Sequence, residues 1–219
     1  YICANDTIKK LHGIGVAVAD RPEGPYSDPL KKPLVPGAFG YIDPSVFIDD
    51  DGQAYLFWGN NGLWYAKLNK DMISLGSEVI PVKELNDSTA FGPLVMKRDY
   101  QLNKRMLKTN YEEGPWVFKR NGLYYIVYAA GGVPEHMAYS TAKSIHGPWK
   151  YQGRIMNEAA NSFTIHGGSI EYHNRHFMFY HNGALPNGGG FRRSTCIEEF
   201  KFGEDGKIPF IPFTKYVFL

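Results

Sequence analysis

A turn-and-strand unit recurs along this chain, and in two copies an acid stands at the same distance before the turn. Asp51-Gly52 opens the aromatic run Gln53-Ala54-Tyr55-Leu56-Phe57-Trp58, and Asn121-Gly122 opens Leu123-Tyr124-Tyr125-Ile126-Val127-Tyr128. Asp-Gly and Asn-Gly between apolar runs signal hairpins, because a tight turn needs φ > 0. Asp43 lies nine residues before Gly52, and Glu113 lies nine residues before Gly122. A third, weaker copy has His173-Asn174 as its turn, Phe177-Met178-Phe179-Tyr180 as its strand and His166 eight residues before Asn174. Asp, Glu and His thus occupy one slot in three successive units.

Each unit has a second half. Gly15-Val16-Ala17-Val18-Ala19-Asp20 leads to Gly24-Pro25-Tyr26, and Met137-Ala138-Tyr139-Ser140-Thr141 leads to Gly147-Pro148-Trp149-Lys150. Both read as a strand followed by a Gly-Pro-aromatic turn into a further strand. Leu63-Trp64-Tyr65-Ala66-Lys67-Leu68 fills the same place after the Gly52 hairpin. Helical periodicity is nearly absent, and only the stretches near Asn69–Met72 and Lys143–Ile145 suit a helical turn. The turns recur 70 and then 52 residues apart. Four-stranded units at such spacing predict an all-β fold of the β-propeller type, with a sandwich or a meandering sheet as the alternative. In a propeller the first strand of every blade lines the axis, so Asp43, Glu113 and His166 are expected to converge at one end of the channel.

The chain is expected to form a single domain over residues 1–219, opening in mid-blade: Tyr1-Ile2-Cys3-Ala4 resembles the strand at Ile126–Ala129. That leaves three fuller blades and the end of another, fewer than a closed ring needs. Unpaired blade edges invite self-association, a borrowed strand from a complementing chain, or aggregation.

With 219 residues, 43% hydrophobic and 21% charged, the chain reads as a globular protein with one sizeable core. A formal net charge of +2 with scattered basic residues predicts no nucleic-acid or membrane-surface partner. No apolar run approaches the ~20 residues needed to cross a bilayer. No signal peptide is visible at the start. Cys3 and Cys196 are the only cysteines and are expected to be buried free thiols, with one disulfide between them as the alternative. They do not fix the compartment; a secreted or periplasmic location is favoured, with the cytoplasm left open.

Paired carboxylates across a cleft suit glycoside hydrolysis. One acid, kept protonated by a raised pKa, donates to the leaving oxygen, while another carboxylate activates water from the opposite face. Glu113 is the better donor, since a nearby Asp43 carboxylate would raise its pKa by like-charge repulsion. Glu112 is set aside, because alternation along a strand points it the other way. Alone, Asp43 before Pro44 reads as a turn residue, and Glu113 as a solvated acid before a Gly-Pro turn; the shared register is what joins them. His166, among small and apolar residues, reads by itself as a satisfied core group; its place on the axis adds a channel role, holding a water or an ion, and it lacks companions at zinc-ligand spacing. Asn187-Gly188-Gly189-Gly190 runs into Phe191-Arg192-Arg193-Ser194 without the lysine and helix of a phosphate loop. Successive arginines in a strand point to opposite faces, so only one would face a cleft, where its fork of donors suits neighbouring sugar hydroxyls.

The blocks Ile42-Asp43-Pro44-Ser45-Val46-Phe47-Ile48-Asp49-Asp50-Asp51-Gly52, Glu113-Gly114-Pro115-Trp116 and His181-Asn182-Gly183-Ala184-Leu185-Pro186 through Arg192-Arg193-Ser194 resemble glycoside hydrolase family 43. The resemblance covers essentially the whole chain. It implies a five-bladed propeller, here lacking the first blade and the start of the second. It implies an inverting glycosidase of the α-L-arabinofuranosidase or β-xylosidase type. The tail through Cys196-Ile197-Glu198-Glu199-Phe200 looks most like members acting on arabinose-decorated xylan. By motif, Glu113 corresponds to the general acid and Asp43 to the aspartate that tunes and orients it. Arg193 resembles the arginine that contacts the innermost sugar. His166 resembles a channel histidine near calcium, held largely through waters. Calcium is therefore the one implied cofactor, and no organic cofactor is implied.

The family's general base is an aspartate of the first blade, which the resemblance places upstream of Tyr1. Asp6 and Asp20 fall in what reads as the second blade, and no Asp here matches the base. The chain by itself is therefore expected to be inactive. The expected partners are arabinoxylan and its xylo- or arabino-oligosaccharides. The competing expectation is a non-catalytic carbohydrate-binding propeller module that keeps the cleft without the chemistry. A protein-interaction scaffold ranks last, for want of nearly identical blades.

Overall fold

The computed structural model describes residues 1–6, 11–37, 40–94 and 108–214. Strands dominate it, as the turn-and-strand grammar predicts. The chain falls into two compact units. The first comprises Tyr1–Val82 with Glu113–Val117, and the second Lys83–Glu112 with Phe118–Leu219.

The first unit begins with β1 (Ile2–Asp6) antiparallel to β2 (Leu11–Gly15). A sheet in simple meander order follows: β3 (Ser45–Ile48), β4 (Ala54–Trp58), β5 (Trp64–Lys67) and β6 (Ile80–Pro81). The Asp49–Gln53 loop joins β3 to β4, and Gly52 sits in it at φ 80°. Every residue of β4 is buried. A strand packed on both faces carries a continuous apolar run instead of an alternating one, which is why Tyr55-Leu56-Phe57-Trp58 has no polar face. Leu56, Trp58 and Ala66 share a buried cluster with Ile14, Val35 and Leu68.

The Gly24-Pro25-Tyr26 turn does not open a strand. Only isolated bridges occur here, Val18 with Ser27 and Ile14 with Val35. The reason is visible in the chain: Pro22, Pro25, Pro29, Pro33 and Pro36 remove the donors that a ladder needs.

The second unit carries the short helices. Contrary to expectation, Asn69–Met72 and Lys143–Ile145 form turns and bends, and the helical residues are a 3₁₀ turn at Lys83–Asn86 and α1 (Ser88–Phe91). Asp87 caps α1, its carboxylate accepting from the Thr89 N–H at 2.8 Å. One helical turn is too short to show periodicity in a sequence.

Four strands then form a sheet in the order β10-β9-β8-β7: β7 (Tyr111–Arg120), β8 (Leu123–Ala130), β9 (His136–Ala142) and β10 (Lys150–Met156). Asn121 and Gly122, at φ 50° and 72°, make the two-residue hairpin turn that the Asn-Gly pair predicts. Gly147-Pro148-Trp149 leads into β10 as expected. The last sheet is three-stranded, with β11 (Gly168–Tyr172), β12 (Arg175–Asn182) and β13 (Ser194–Phe200). His173 and Asn174, at φ 50° and 58°, form its first turn.

Buried tyrosines hold the second unit together. Phe91, Tyr111 and Tyr128 meet with ring centroids 5.3–5.9 Å apart. The Tyr128 hydroxyl reaches Ser140 Oγ at 3.1 Å, and Ser140 donates to the Ala90 carbonyl at 2.6 Å. The Tyr128 and Ser140 hydroxyls in this apolar layer therefore have partners, which burial demands. Among the described residues no helix is long and apolar enough to cross a membrane.

Candidate active site

Asp43 and Glu113 each lie near the start of the first strand of a sheet. Asp43 stands two residues before β3, the first strand of one sheet, and Glu113 stands near the start of β7, the first strand of another. His166 lies two residues before β11, the first strand of the third. Asp43 and His166 precede their strands, while Glu113 lies inside β7, which starts earlier relative to its turn.

Asp43 adopts φ 58°, the left-handed region, which Asp tolerates better than most residues. This bend redirects the chain just before Pro44 and β3. The backbone N–H of Asp43 donates to Sγ of Cys3 at 3.2 Å. Partial removal of its sulfur from water pushes the Cys3 thiol up from its ordinary value, opposed by that N–H and reinforced by the charges of Asp43 and Glu113. Both cysteines are free, as expected, but neither is buried: Cys3 is exposed and Cys196 half-buried.

Glu113 is 8% exposed, not the solvated acid that a Gly-Pro turn suggests. Gly114 beside it takes φ 62° inside the strand, a conformation in which a side chain is strained. Nδ2 of Asn60 donates to Oε2 of Glu113. A carboxylate oxygen of Asp43 and one of Glu113 lie within 4.8 Å of each other. Ser45 Oγ donates to the Pro115 carbonyl at 2.5 Å, which ties the strand after Asp43 to the segment after Glu113. Glu112, also in β7, is buried at 4%.

The turn that carries Asn60 is pinned to the Asp43 segment through backbone bonds. The Gly40 carbonyl accepts from the N–H groups of both Ile42 and Asn60, at 3.0 and 2.9 Å, and the Ile42 carbonyl accepts from Gly59 at 2.9 Å. Gly40, at φ 94°, lies so close to Asn60 that a Cβ would stand 2.6 Å from the Asn60 carbonyl oxygen. Only glycine permits that approach.

Arg193 belongs to the second unit. Its Nη1 donates to Thr164 Oγ1 at 3.0 Å and lies 3.4 Å from His181 Nε2. His181 Nε2 is also 3.0 Å from the Thr164 carbonyl. A carbonyl only accepts, so the closer contact places the proton on Nε2 and leaves the guanidinium to Thr164 Oγ1. The His166 ring lies beside His181, with centroids 5.9 Å apart. The segment 163–165 is anchored by Glu135, which is 3% exposed and accepts from the Ile165 N–H at 3.0 Å.

Strand alternation does not separate Arg192 from Arg193. Both are exposed and precede β13, with Arg192 in an isolated bridge to Gly189. Their directions come from the loop, and the Thr164 contact is what distinguishes Arg193. Calcium takes about six to eight oxygen ligands. Within its own unit the His166 ring meets the His181 imidazole, a nitrogen donor and not one of the oxygens a hard cation takes.

Asn60, Thr164, His181 and Glu135 escape sequence reading as site residues. Asn60 sits in Trp58-Gly59-Asn60-Asn61-Gly62, which signals only a turn. His181 lies in one of the motif blocks, but nothing local marks its contact with Arg193.

Comparison with known proteins identifies the family. The family model described as Glycosyl hydrolases family 43 matches residues 1–208. Xylosidase/arabinosidase 43A of Humicola insolens is 34% identical over 234 residues, covering 95% of this chain and 69% of the relative. An arabinoxylan arabinofuranohydrolase of Bacillus subtilis is 30% identical, covering 90% of this chain and 41% of its own length. The crystal structure of a GH43_1 enzyme from Xanthomonas citri, complexed with xylotriose, is similar at a TM-score of 0.76 and 26% identity. That match covers 96% of this chain and 67% of the other. The chain therefore spans from about two fifths to about two thirds of the length of these proteins. A family match over nearly all its residues, on strands that repeat in the expected order, places the chain in glycoside hydrolase family 43, a family of five-bladed β-propellers.

Proposed function

We propose that the protein is an inverting glycosidase that removes arabinofuranosyl or xylosyl residues from arabinoxylan. The observation that carries this reading is the approach of the Asp43 and Glu113 carboxylates to within 4.8 Å. Two carboxylates this close resist double ionisation, so one retains a proton where an isolated acid would lose it. Glu113, the buried member, is assigned as the general acid that protonates the leaving glycosidic oxygen. Asp43, held by its bent backbone, is assigned to orient Glu113 and keep it protonated. The water-activating carboxylate is assigned to no residue of this chain.

Arg193 is assigned to sugar binding, its remaining N–H groups being suited to adjacent hydroxyls. His166 is assigned a place near a hydrated calcium ion, on the resemblance alone. The names of relatives support a pentose substrate: a xylosidase/arabinosidase, an arabinoxylan arabinofuranohydrolase and an enzyme holding xylotriose. A polymeric plant substrate supports a secreted or periplasmic location.

The test is sugar release from arabinoxylan, arabinan and nitrophenyl pentosides by the protein in its full native reading frame, with Glu113→Gln beside it. Release of arabinose or xylose that the variant abolishes is the expected result. Full activity in the variant would remove Glu113 from the chemistry. Oligosaccharide binding without release would instead favour a non-catalytic carbohydrate-binding module.

A further inference from the structure

Asn60 carries none of the roles assigned above. It lies half-buried in the turn between β4 and β5. Its Nδ2 donates to Oε2 of Glu113, and its Oδ1 accepts from Nδ2 of Asn61 at 2.8 Å. The two bonds agree on one orientation of the amide. A carboxamide has one donating end and one accepting end, and Asn61 occupies the accepting end. Asn60 therefore presents NH2 to Glu113. The backbone bonds to Gly40 and Ile42 hold the whole turn, so the amide is fixed in position as well as in orientation.

An NH2 group can only donate, so Oε2 accepts. The carbonyl oxygen of a neutral acid is the better acceptor, which favours the proton on Oε1. We infer that Asn60 is a positioning residue that makes Oε1 the proton-donating oxygen of Glu113. This rests on the reading of Glu113 as general acid. In the step, the proton passes from Oε1 to the glycosidic oxygen as the carbon–oxygen bond breaks, its electron pair going to that oxygen. Glu113 is left ionised. The amide bond to Oε2 favours that ionised product, because a donor stabilises a carboxylate more than a carboxylic acid. Asp43 and Asn60 thus act in opposite directions on the same group: the neighbouring charge retains the proton, and the amide eases its departure.

Leaving-group dependence separates this role from simple support of the fold. A glycoside with a poor leaving group needs the proton, while a dinitrophenyl glycoside departs as a stable anion and hardly needs it. In the protein in its full native reading frame, Asn60→Ala is expected to lower kcat/KM on a xylo-oligosaccharide or alkyl pentoside by ~10–100-fold, less than the ~10²–10⁴-fold of the general acid itself. On the matching dinitrophenyl pentoside the loss should stay below ~3-fold, because that transition state needs little proton transfer. The alkaline limb of the pH profile should move upward, since the carboxylate loses a donor. Asn60→Asp, nearly the same size, should move it further upward by adding a charge.

Equal losses on both leaving groups, or no loss on either, would overturn the inference. Glu113→Gln on the same substrates distinguishes the two levels. If it keeps its activity on the poor leaving group, the general-acid reading fails and the inference with it. If it loses that activity while both Asn60 variants behave as the parent, the inference alone fails.

Discussion

Asp43 and Glu113 bring carboxylate oxygens within 4.8 Å of each other from positions 70 residues apart in the chain. Neither acid is exceptional in its local sequence. What joins them is their common place at the head of the first strand of successive sheets, so the repeat itself builds the pair.

Glu113→Gln should lower kcat/KM on xylo-oligosaccharides by ~10²–10⁴-fold, the usual contribution of a general acid. Activity on dinitrophenyl pentosides should suffer much less. Initial rates on the two substrate types check this directly.

Asp43→Asn should move the alkaline limb of kcat/KM to lower pH, by on the order of one unit. Removing the neighbouring negative charge lets Glu113 ionise more readily, so its protonated fraction falls earlier as pH rises. A pH–rate profile reads both the direction and the size, and an unmoved limb would dissociate the two acids.

The visibility of this pair in the sequence, and the invisibility of its supports, have a common physical origin. Asp-Gly and Asn-Gly turns and aromatic strands are local signals, repeated at matching offsets, so Asp43, Glu113 and the hairpins after them can be read without coordinates. Asn60 meets Glu113 across 53 residues. No local periodicity encodes such a bond. The same holds for Arg193, whose contact with Thr164 depends on loop path and not on strand alternation. The strand expected after Gly24 failed for the opposite reason: a good turn signal was followed by prolines that could not support a ladder.

Arg193→Ala should weaken pentoside use by ~10–100-fold in kcat/KM, the scale of a lost hydrogen bond to a charged group. Thr164→Val, which keeps the guanidinium but frees it from its anchor at Oγ1, should cost less. Steady-state kinetics on one nitrophenyl pentoside compares them.

Tyr1 and Tyr139 are each pushed up to about 12 from an ordinary 10.0, in both cases mainly by burial. Because the folded-state value is the higher one, their contribution to stability is complete below about pH 10 and is lost as pH rises through about 12. Denaturation midpoints should therefore fall over that window. Ultraviolet titration should show tyrosines ionising together with unfolding.

Leu56→Ala should destabilise the protein by about 2–5 kcal/mol, since Leu56 is fully buried at the centre of the Trp58 cluster and truncation leaves a cavity. Urea unfolding followed by tryptophan fluorescence measures it, because Trp58 reports from the same cluster.

The Gly40 carbonyl binds the N–H groups of Ile42 and Asn60 at once. That single oxygen has a practical consequence for chimaeras: segments 40–43 and 59–61 can be exchanged with a related enzyme only as a matched pair. A graft of either alone would import an acid without the amide that faces its partner, or the amide without the acid.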